Sequence, residues 1–380
     1  HMVFQVTCGL QAQALRLEEV ALIDGISGVD GLEANYGDVC SCKPAADTES
    51  QVLVKGEISL PVVLDARTSL MDWGTTEVES IQPDLGGIKV KGRIQIETLI
   101  ASGVTGRPAA LIKYPLEFDQ LVELPEWLMK GASARASVRR IRSSVHHGQE
   151  GEDSALHVDA ELTLSVQSDG QDCVSALRDA YTTEGRSLKV ELEEFDICSR
   201  IERLQFSESV RGTVLLGESV PGVGTVIAVR VRPNVAERVN ENGKGRIGGL
   251  LEAEILYMPS GSDIPASTQA ELPFSVEIPG EFNDESLILL EAVSAEANAL
   301  MSDRLEMKVM LSVQCETRRR ERMEAVLEVE EGEAVEKRPG IVILWPEEGQ
   351  TAWDICKHYS LPSEAVEGKI EPGKPVVLKI

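Results

Sequence analysis

Ile88-Lys-Val-Lys-Gly-Arg-Ile-Gln-Ile-Glu-Thr-Leu-Ile100 reads as a strand with one buried face, because Ile88, Val90, Ile94, Ile96 and Ile100 alternate with Lys89, Lys91, Arg93, Gln95 and Glu97. A second version follows at Arg246-Ile-Gly-Gly-Leu-Leu-Glu-Ala-Glu-Ile-Leu-Tyr257, where Leu251, Ala253, Ile255 and Tyr257 stand in the places of Ile94, Ile96, Thr98 and Ile100. Position 94 maps to 251, a shift of 157 residues, and the buried parity survives it.

The correspondence extends to both sides. Val54-Lys-Gly56 matches Val210-Arg-Gly212, inside apolar runs that end near Pro61 and Pro221. Leu116 and Phe118 match Leu272 and Phe274, and Glu123-Leu-Pro125 matches Glu277-Ile-Pro279 after a slip of two residues. A slip of two keeps every side chain on its own face, whereas a slip of one would turn the buried set to water. Val158, Ala160, Leu162, Leu164 and Val166 match Leu305, Met307, Val309, Leu311 and Val313 at a shift of 147, which places the length difference in the loop from His146 to Asp153. Such order and parity predict a tandem duplication. The expected fold class is mainly β: two homologous antiparallel, sandwich-like domains and a small third module.

The chain has 380 residues, enough for two or three domains with their own cores. Its net charge of −26 weighs against nucleic acid or anionic lipid as a partner, since both reward basic surface. Seven cysteines, an odd number, are scattered without a signal-peptide pattern, so a disulfide framework is not expected and a reducing compartment is. No apolar run is long enough for a membrane helix. His1-Met2 reads as a cloning remnant, so the natural N-terminus is expected to lie elsewhere.

Phe4, Val6 and Cys8 alternate as Leu311, Val313 and Cys315 do. Either an earlier unit precedes this chain, or each unit is completed by a strand of its neighbour. Residues 1–50 form a lead-in broken by Gly25, Gly28, Gly31 and Gly37, with a short helix expected at Leu15 to Leu22. The first repeat spans 51–180 and includes a helical turn at Cys173 to Tyr181, where Val174, Leu177 and Tyr181 share a face. The second spans 188–315. Residues 316–339, with Arg318, Arg319, Arg320 and Arg322 ahead of an acidic run, read as a charged connector of helix or loop. Residues 340–380 read as strand (Ile341 to Leu344), helix (Thr351 to Tyr359), short helix and strand (Val376 to Ile380).

Gly243-Lys-Gly-Arg-Ile-Gly248 spells a dinucleotide motif but precedes a strand, so it reads as a hairpin turn. Gly368 to Lys374 resembles a phosphate loop with Pro375 in the hydroxyl position, and reads as accidental. Cys40-Ser-Cys42 lacks a second pair at metal spacing and reads as a surface thiol pair, with His146-His147 in a solvated loop. No metal, cofactor or catalytic constellation is expected.

Trp345-Pro-Glu-Glu-Gly-Gln-Thr-Ala-Trp-Asp-Ile-Cys-Lys-His-Tyr359, with Ile370-Glu-Pro-Gly-Lys374 and Val376-Val-Leu378, resembles a LysM domain, a small βααβ fold. Gly249-Leu-Leu-Glu-Ala-Glu-Ile-Leu-Tyr257, Glu271-Leu-Pro-Phe274 and Asp179-Ala-Tyr181 are similar to the SPOCS domains of spore-coat morphogenesis proteins, the third as a linker signature. Two such domains followed by a C-terminal LysM domain are the order of the SipL-like group, which is functionally akin to the SpoVID-like group. The resemblance implies a non-enzymatic scaffold in the mother-cell cytoplasm, at the forespore surface. It would link a SpoIVA-type coat ATPase to other coat proteins and self-associate. The implied partner-binding residues are Trp345, Gly349, Gln350, Thr351, Trp353, Ile355 and Tyr359. A peptidoglycan module gripping N-acetylglucosamine is the alternative, and a hydrolase ranks third. Gln350 stands where the family carries Asp, and the loop around Glu364 is short, which favours a protein partner over a glycan.

Overall fold

The alternation at Ile88 to Ile100 is realised as a central strand in the computed structural model, which describes residues 19–379 apart from 130, 150–151, 218–219, 337–339 and 367–369. The chain is mainly β. Its strands are β1 (Leu32–Leu60), β2 (Ala66–Asp84), β3 (Gly87–Ser102), β4 (Ala109–Glu123), β5 (Ser133–His146), β6 (Ser154–Thr182), β7 (Arg186–Leu215), β8 (Val223–Glu241), β9 (Lys244–Pro259), β10 (Ala266–Ile278), β11 (Leu287–Met301), β12 (Arg304–Ala334), β13 (Ile341–Leu344) and β14 (Val376–Lys379). The helices are α1 (Glu126–Met129) and α2 (Ala352–Tyr359). Two compact units result, one of residues 41–171 with 198–320, the other of residues 1–40, 172–197 and 321–380.

The first-named unit holds two sandwiches. In one, sheet β2-β3-β4 faces sheet β1-β6-β5; in the other, β8-β9-β10 faces β7-β12-β11. Ile94, Ile96, Phe118, Leu162 and Leu164 share one core, and Leu251, Ala253, Phe274, Val309 and Leu311 share the other, as their alternation predicts. The hairpin motif at Gly243 is a two-residue turn, Asn242-Gly243, with both residues at positive φ between β8 and β9.

Bulges coincide between the two sandwiches. Single residues bulge from β2 at Arg67, Leu70 and Glu79, and from β8 at Gly224, Ile227 and Ala236, each 157 positions on. A fourth lies at Arg139 in β5 and at Val293 in β11. Beside the Glu79 and Ala236 bulges, the central strand carries Gly92 and Gly249. A β-carbon on Gly92 would lie 2.3 Å from the Glu77 carbonyl oxygen, and one on Gly249 2.0 Å from that of Asn234. Bulges bend a strand and increase its twist, and here the facing strand yields the space.

Pairing also corrects the predicted offset of the last strands. Ile141 pairs with Ala160 and Ala295 with Val309, so position 160 maps to 309, a shift of 149 rather than 147. The error of two residues leaves parity unchanged, which is why alternation alone does not detect it.

The cores differ at several positions, among them a polar cluster in the first. Thr98 Oγ1 donates to Asp72 Oδ1 at 2.8 Å and meets Tyr114 Oη at 2.9 Å, while Ser143 donates through its hydroxyl at 2.6 Å and its backbone N–H at 3.0 Å to the same Asp72 carboxylate. Burial pushes the Tyr114 hydroxyl up to about 12. The corresponding positions of the second sandwich are Ile255, Val229, Ala270 and Ala297.

The sandwiches touch through unlike surfaces. Thr75 Oγ1 on β2 donates to the carbonyl of the bulged Val293 at 3.4 Å, and Lys113 Nζ on β4 donates to that of Ala295 at 3.3 Å. Arg135 Nε on β5 donates to Gln314 Oε1 at 3.0 Å.

In the other unit, the end of β6 supplies Leu177 and Ala180 to a small core with Val326 of β12, against Ile23, Ile26, Leu32, Ala34, Leu188, Val190 and Val329. Several expectations change here. Residues 173–181 are strand, not a helical turn, and 316–334 continue β12 instead of forming a helix or loop. Strand β1 starts at Leu32, inside the expected lead-in, and carries Gly37 within it. Hydrogen-bonded neighbours supply the ladder that these charge-rich segments lack as isolated sequence. Cys40 and Cys173 form a disulfide across adjacent strands β1 and β6, with Cα atoms 4.1 Å apart, in place of the expected free thiol pair. Phe4, Val6, Cys8 and the first part of the Leu15 to Leu22 segment lie outside the described residues, and Glu19 to Leu22 are not helical.

Gly92→Ala and Gly249→Ala are each expected to lower stability by about 1–3 kcal/mol through overpacking against a carbonyl. Leu164→Ala and Leu311→Ala should each cost about 2–5 kcal/mol. Urea denaturation of the four variants checks both, and glycine variants as stable as the parent would refute the close approach.

Candidate partner-binding site

Helix α2 begins at a capping box. Asp354 donates its backbone N–H to Thr351 Oγ1 at 3.3 Å, and Thr351 returns its own N–H to Asp354 Oδ2 at 2.8 Å. These bonds from Thr351 hold the Asp354 carboxyl below the usual carboxylate range. The helix ends at Ser360, which takes a left-handed conformation (φ 50°), and Leu361 N–H closes on the Cys356 carbonyl at 2.9 Å. Ile355, Cys356, Leu361 and Leu378 form the core of the segment, and burial pushes the Cys356 thiol up.

That core also includes Tyr181, from the end of β6. Its hydroxyl donates to the Leu361 carbonyl at 2.8 Å, and its ring stands edge-on to Trp353 with centroids 4.9 Å apart. Burial pushes the Tyr181 hydroxyl up. Two residues earlier, Asp179 accepts Trp353 Nε1–H on Oδ2 at 2.7 Å and Lys357 Nζ on Oδ1 at 2.5 Å. One carboxylate thus holds two side chains four positions apart on α2, which is one turn of one helix face.

The seven sequence-predicted residues separate accordingly. Ile355 is buried and Trp353 is turned onto Asp179 and Tyr181, so both serve the docking of the segment. Tyr359 is half-buried and stacks edge-on with His358. Thr351 caps the helix. Gln350 closes its own turn, its N–H reaching the Glu347 carbonyl at 3.2 Å while its side-chain oxygen accepts Glu347 N–H at 3.2 Å. Gly349 occupies φ 86° with open space around it.

Trp345 remains, 62% exposed. It extends the row of Ile341 and Ile343 on β13, and Val377 of the antiparallel β14 pairs with Ile343; all are more than half exposed. This apolar sheet face adjoins exposed Glu347 and Glu348. Alternation in a four-residue strand carries too little signal for sequence reasoning to find it. Asp179 and Tyr181 were visible only as a motif, since their partners lie 174 to 180 residues away.

The other noted motifs do not converge. His146 stacks on His157 at 4.0 Å across the β5–β6 hairpin, with His157 Nε2 3.5 Å from Glu57. Among the described residues, no group of three or more His, Cys, Asp or Glu is arranged to hold a metal.

Asp179→Ala should detach the segment more than Tyr181→Phe does, because it removes both side-chain anchors of α2. Limited proteolysis following cleavage between 335 and 341, with tryptophan fluorescence, measures this. Thr351→Ala should cost about 1 kcal/mol of helix stability. The Asp354 contribution is present above the ordinary carboxylate range and is lost as pH falls through its lowered folded value, so acid should loosen α2.

Comparison with family models, with curated proteins and with solved structures finds no match for this chain.

Proposed function

We propose that the chain is a non-enzymatic scaffold of the spore coat, built from two SPOCS-like copies of one β unit and a LysM-like terminal segment that holds a protein partner. The four shared bulges, the paired glycines and the matching strand orders support the duplication. The β13-α2-β14 arrangement, with a short 3-10 turn at Ser363–Ala365, supports the LysM likeness. In this reading the partner is a SpoIVA-type coat ATPase at the forespore surface in the mother cell.

The observation that carries the partner reading is the exposed face of Ile341, Ile343, Trp345 and Val377 beside Glu347 and Glu348. An apolar centre with an acidic margin suits a protein surface that presents an apolar pocket and basic residues around it. A sugar-binding groove instead needs polar groups converging from two loops. Here Gln350 is spent on its own turn, and Trp353 faces Asp179.

The test is titration of the full chain with the coat ATPase and, separately, with N-acetylglucosamine oligomers. Binding to the ATPase is expected, with at least a tenfold loss (about 1.4 kcal/mol) for Trp345→Ala or Ile343→Glu. Sugar binding without ATPase binding would overturn the scaffold reading in favour of a cell-wall module.

A further inference from the structure

The contact between the two sandwiches joins an outer sheet face of the first to a bulged edge of the second. Each surface has a counterpart on the other sandwich, and those counterparts are uncovered. On the first sandwich, Trp73, Thr75, Gln95 and Glu97 are half-buried where the second lies against them. The equivalent residues on β8 and β9, Arg230, Arg232, Glu252 and Glu254, are all exposed and line an open depression of about 240 Å³. The counterpart of the edge at Val293 is β5 at Arg139, also exposed.

The groups that make the internal contact have chemical equivalents. Thr75 and Lys113 donate to the carbonyls of Val293 and Ala295. Arg232 and Gln269 take the places of the two donors. The carbonyls of Arg139 and Ile141 take the places of the two acceptors, beside the same bulge.

Charge follows the same division. Edge strand β5 carries exposed Arg139, Arg140 and Arg142, of which Arg140 lies 3.8 Å from Glu161. The equivalent β11 positions, Val293, Ser294 and Glu296, hold no base. The open face of β8-β9-β10 has Glu252, Glu254 and Glu271 beside Arg230 and Arg232, where the covered face has Gln95, Glu97, Pro115, Trp73 and Thr75. The β5 edge thus carries three arginines at 139–142, and the open face carries three glutamates against two arginines; within the chain β5 meets the second sandwich further along, at Arg135.

We propose that the chain assembles head to tail with further copies of itself, the open β8-β9-β10 face of one molecule receiving the bulged β5 edge of the next. This repeats the internal contact between molecules. The interface is heterologous, so it propagates as an open series instead of closing at a dimer. It depends on the equivalence of the two sandwiches and not on what the terminal segment binds.

Sedimentation velocity on the full chain provides the test. The average mass should rise with concentration without levelling at a dimer, and should fall toward the monomer at about 0.5 M salt, where exposed charges are screened. Arg139→Glu with Arg142→Glu, and separately Glu252→Lys with Glu254→Lys, should each abolish assembly while circular dichroism stays unchanged. An equimolar mixture of the two variants should associate again, because their altered surfaces complement one another. If the β9 variant fails to fold, Gln269→Ala replaces it and should weaken assembly. A parent chain that stays monomeric or stops at a dimer, folded β5 variants that assemble like the parent, or a mixture of folded variants that remains monomeric would each overturn the proposal.

Discussion

Each sandwich depends on a backbone carbonyl that occupies the space where a side chain would begin. Glu77 and Asn234 aim their carbonyls at Gly92 and Gly249, next to bulges that bend β2 and β8. The bend lets a three-stranded sheet wrap a core of alternating aliphatic residues from β3 and β6, or from β9 and β12. Phe118 and Phe274 pair across from those same glycines, so a large inward aromatic ring of each outer strand lies where the central strand has no side chain. Core packing and strand curvature therefore meet at one position per sandwich.

A comparable economy governs the terminal segment. Its hydrophobic content is small, and it completes its core by taking in Tyr181 and by tying Trp353 and Lys357 to Asp179. Small modules commonly need an external source of stability. Because Trp353 of α2 is used inward, the outward tryptophan surface falls to Trp345 and the β13–β14 face. The partner reading follows from that division of labour between two tryptophans.

The central strands β3, β6, β9 and β12 were legible in the sequence because one face of each is buried over most of its sandwich portion, and a period of two over ten residues is hard to mistake. The hairpin at Asn242-Gly243 was legible from turn chemistry alone. The extensions at 173–182 and 316–334 were not, since charged residues there find partners distant in sequence, as Arg319 does with Glu202 on β7 and Arg320 with Glu285 in the turn before β11. The bond between Cys40 and Cys173 spans 133 residues and has no local signal. At the candidate site, Thr351 as a cap and Ile355 as core were readable from helix rules, whereas the role of Asp179 required the fold.

The polar cluster around Asp72, matched by apolar residues in the second sandwich, bears on how two sandwiches in one chain would avoid exchanging strands while folding. Adjacent domains of similar sequence risk exchanging elements during refolding. If β8 took the place of β2, Val229 would leave Thr98 and Ser143 without their carboxylate acceptor; in the reverse exchange Asp72 would face Ile255 and Ala297. Either error deprives partly buried polar groups of a partner, at a cost of up to about 1–3 kcal/mol for a neutral group, although Thr98 would keep its bond to Tyr114. Asp72 thus sets the first core apart chemically: its partners Thr98 and Ser143 are matched in the second by Ile255 and Ala297.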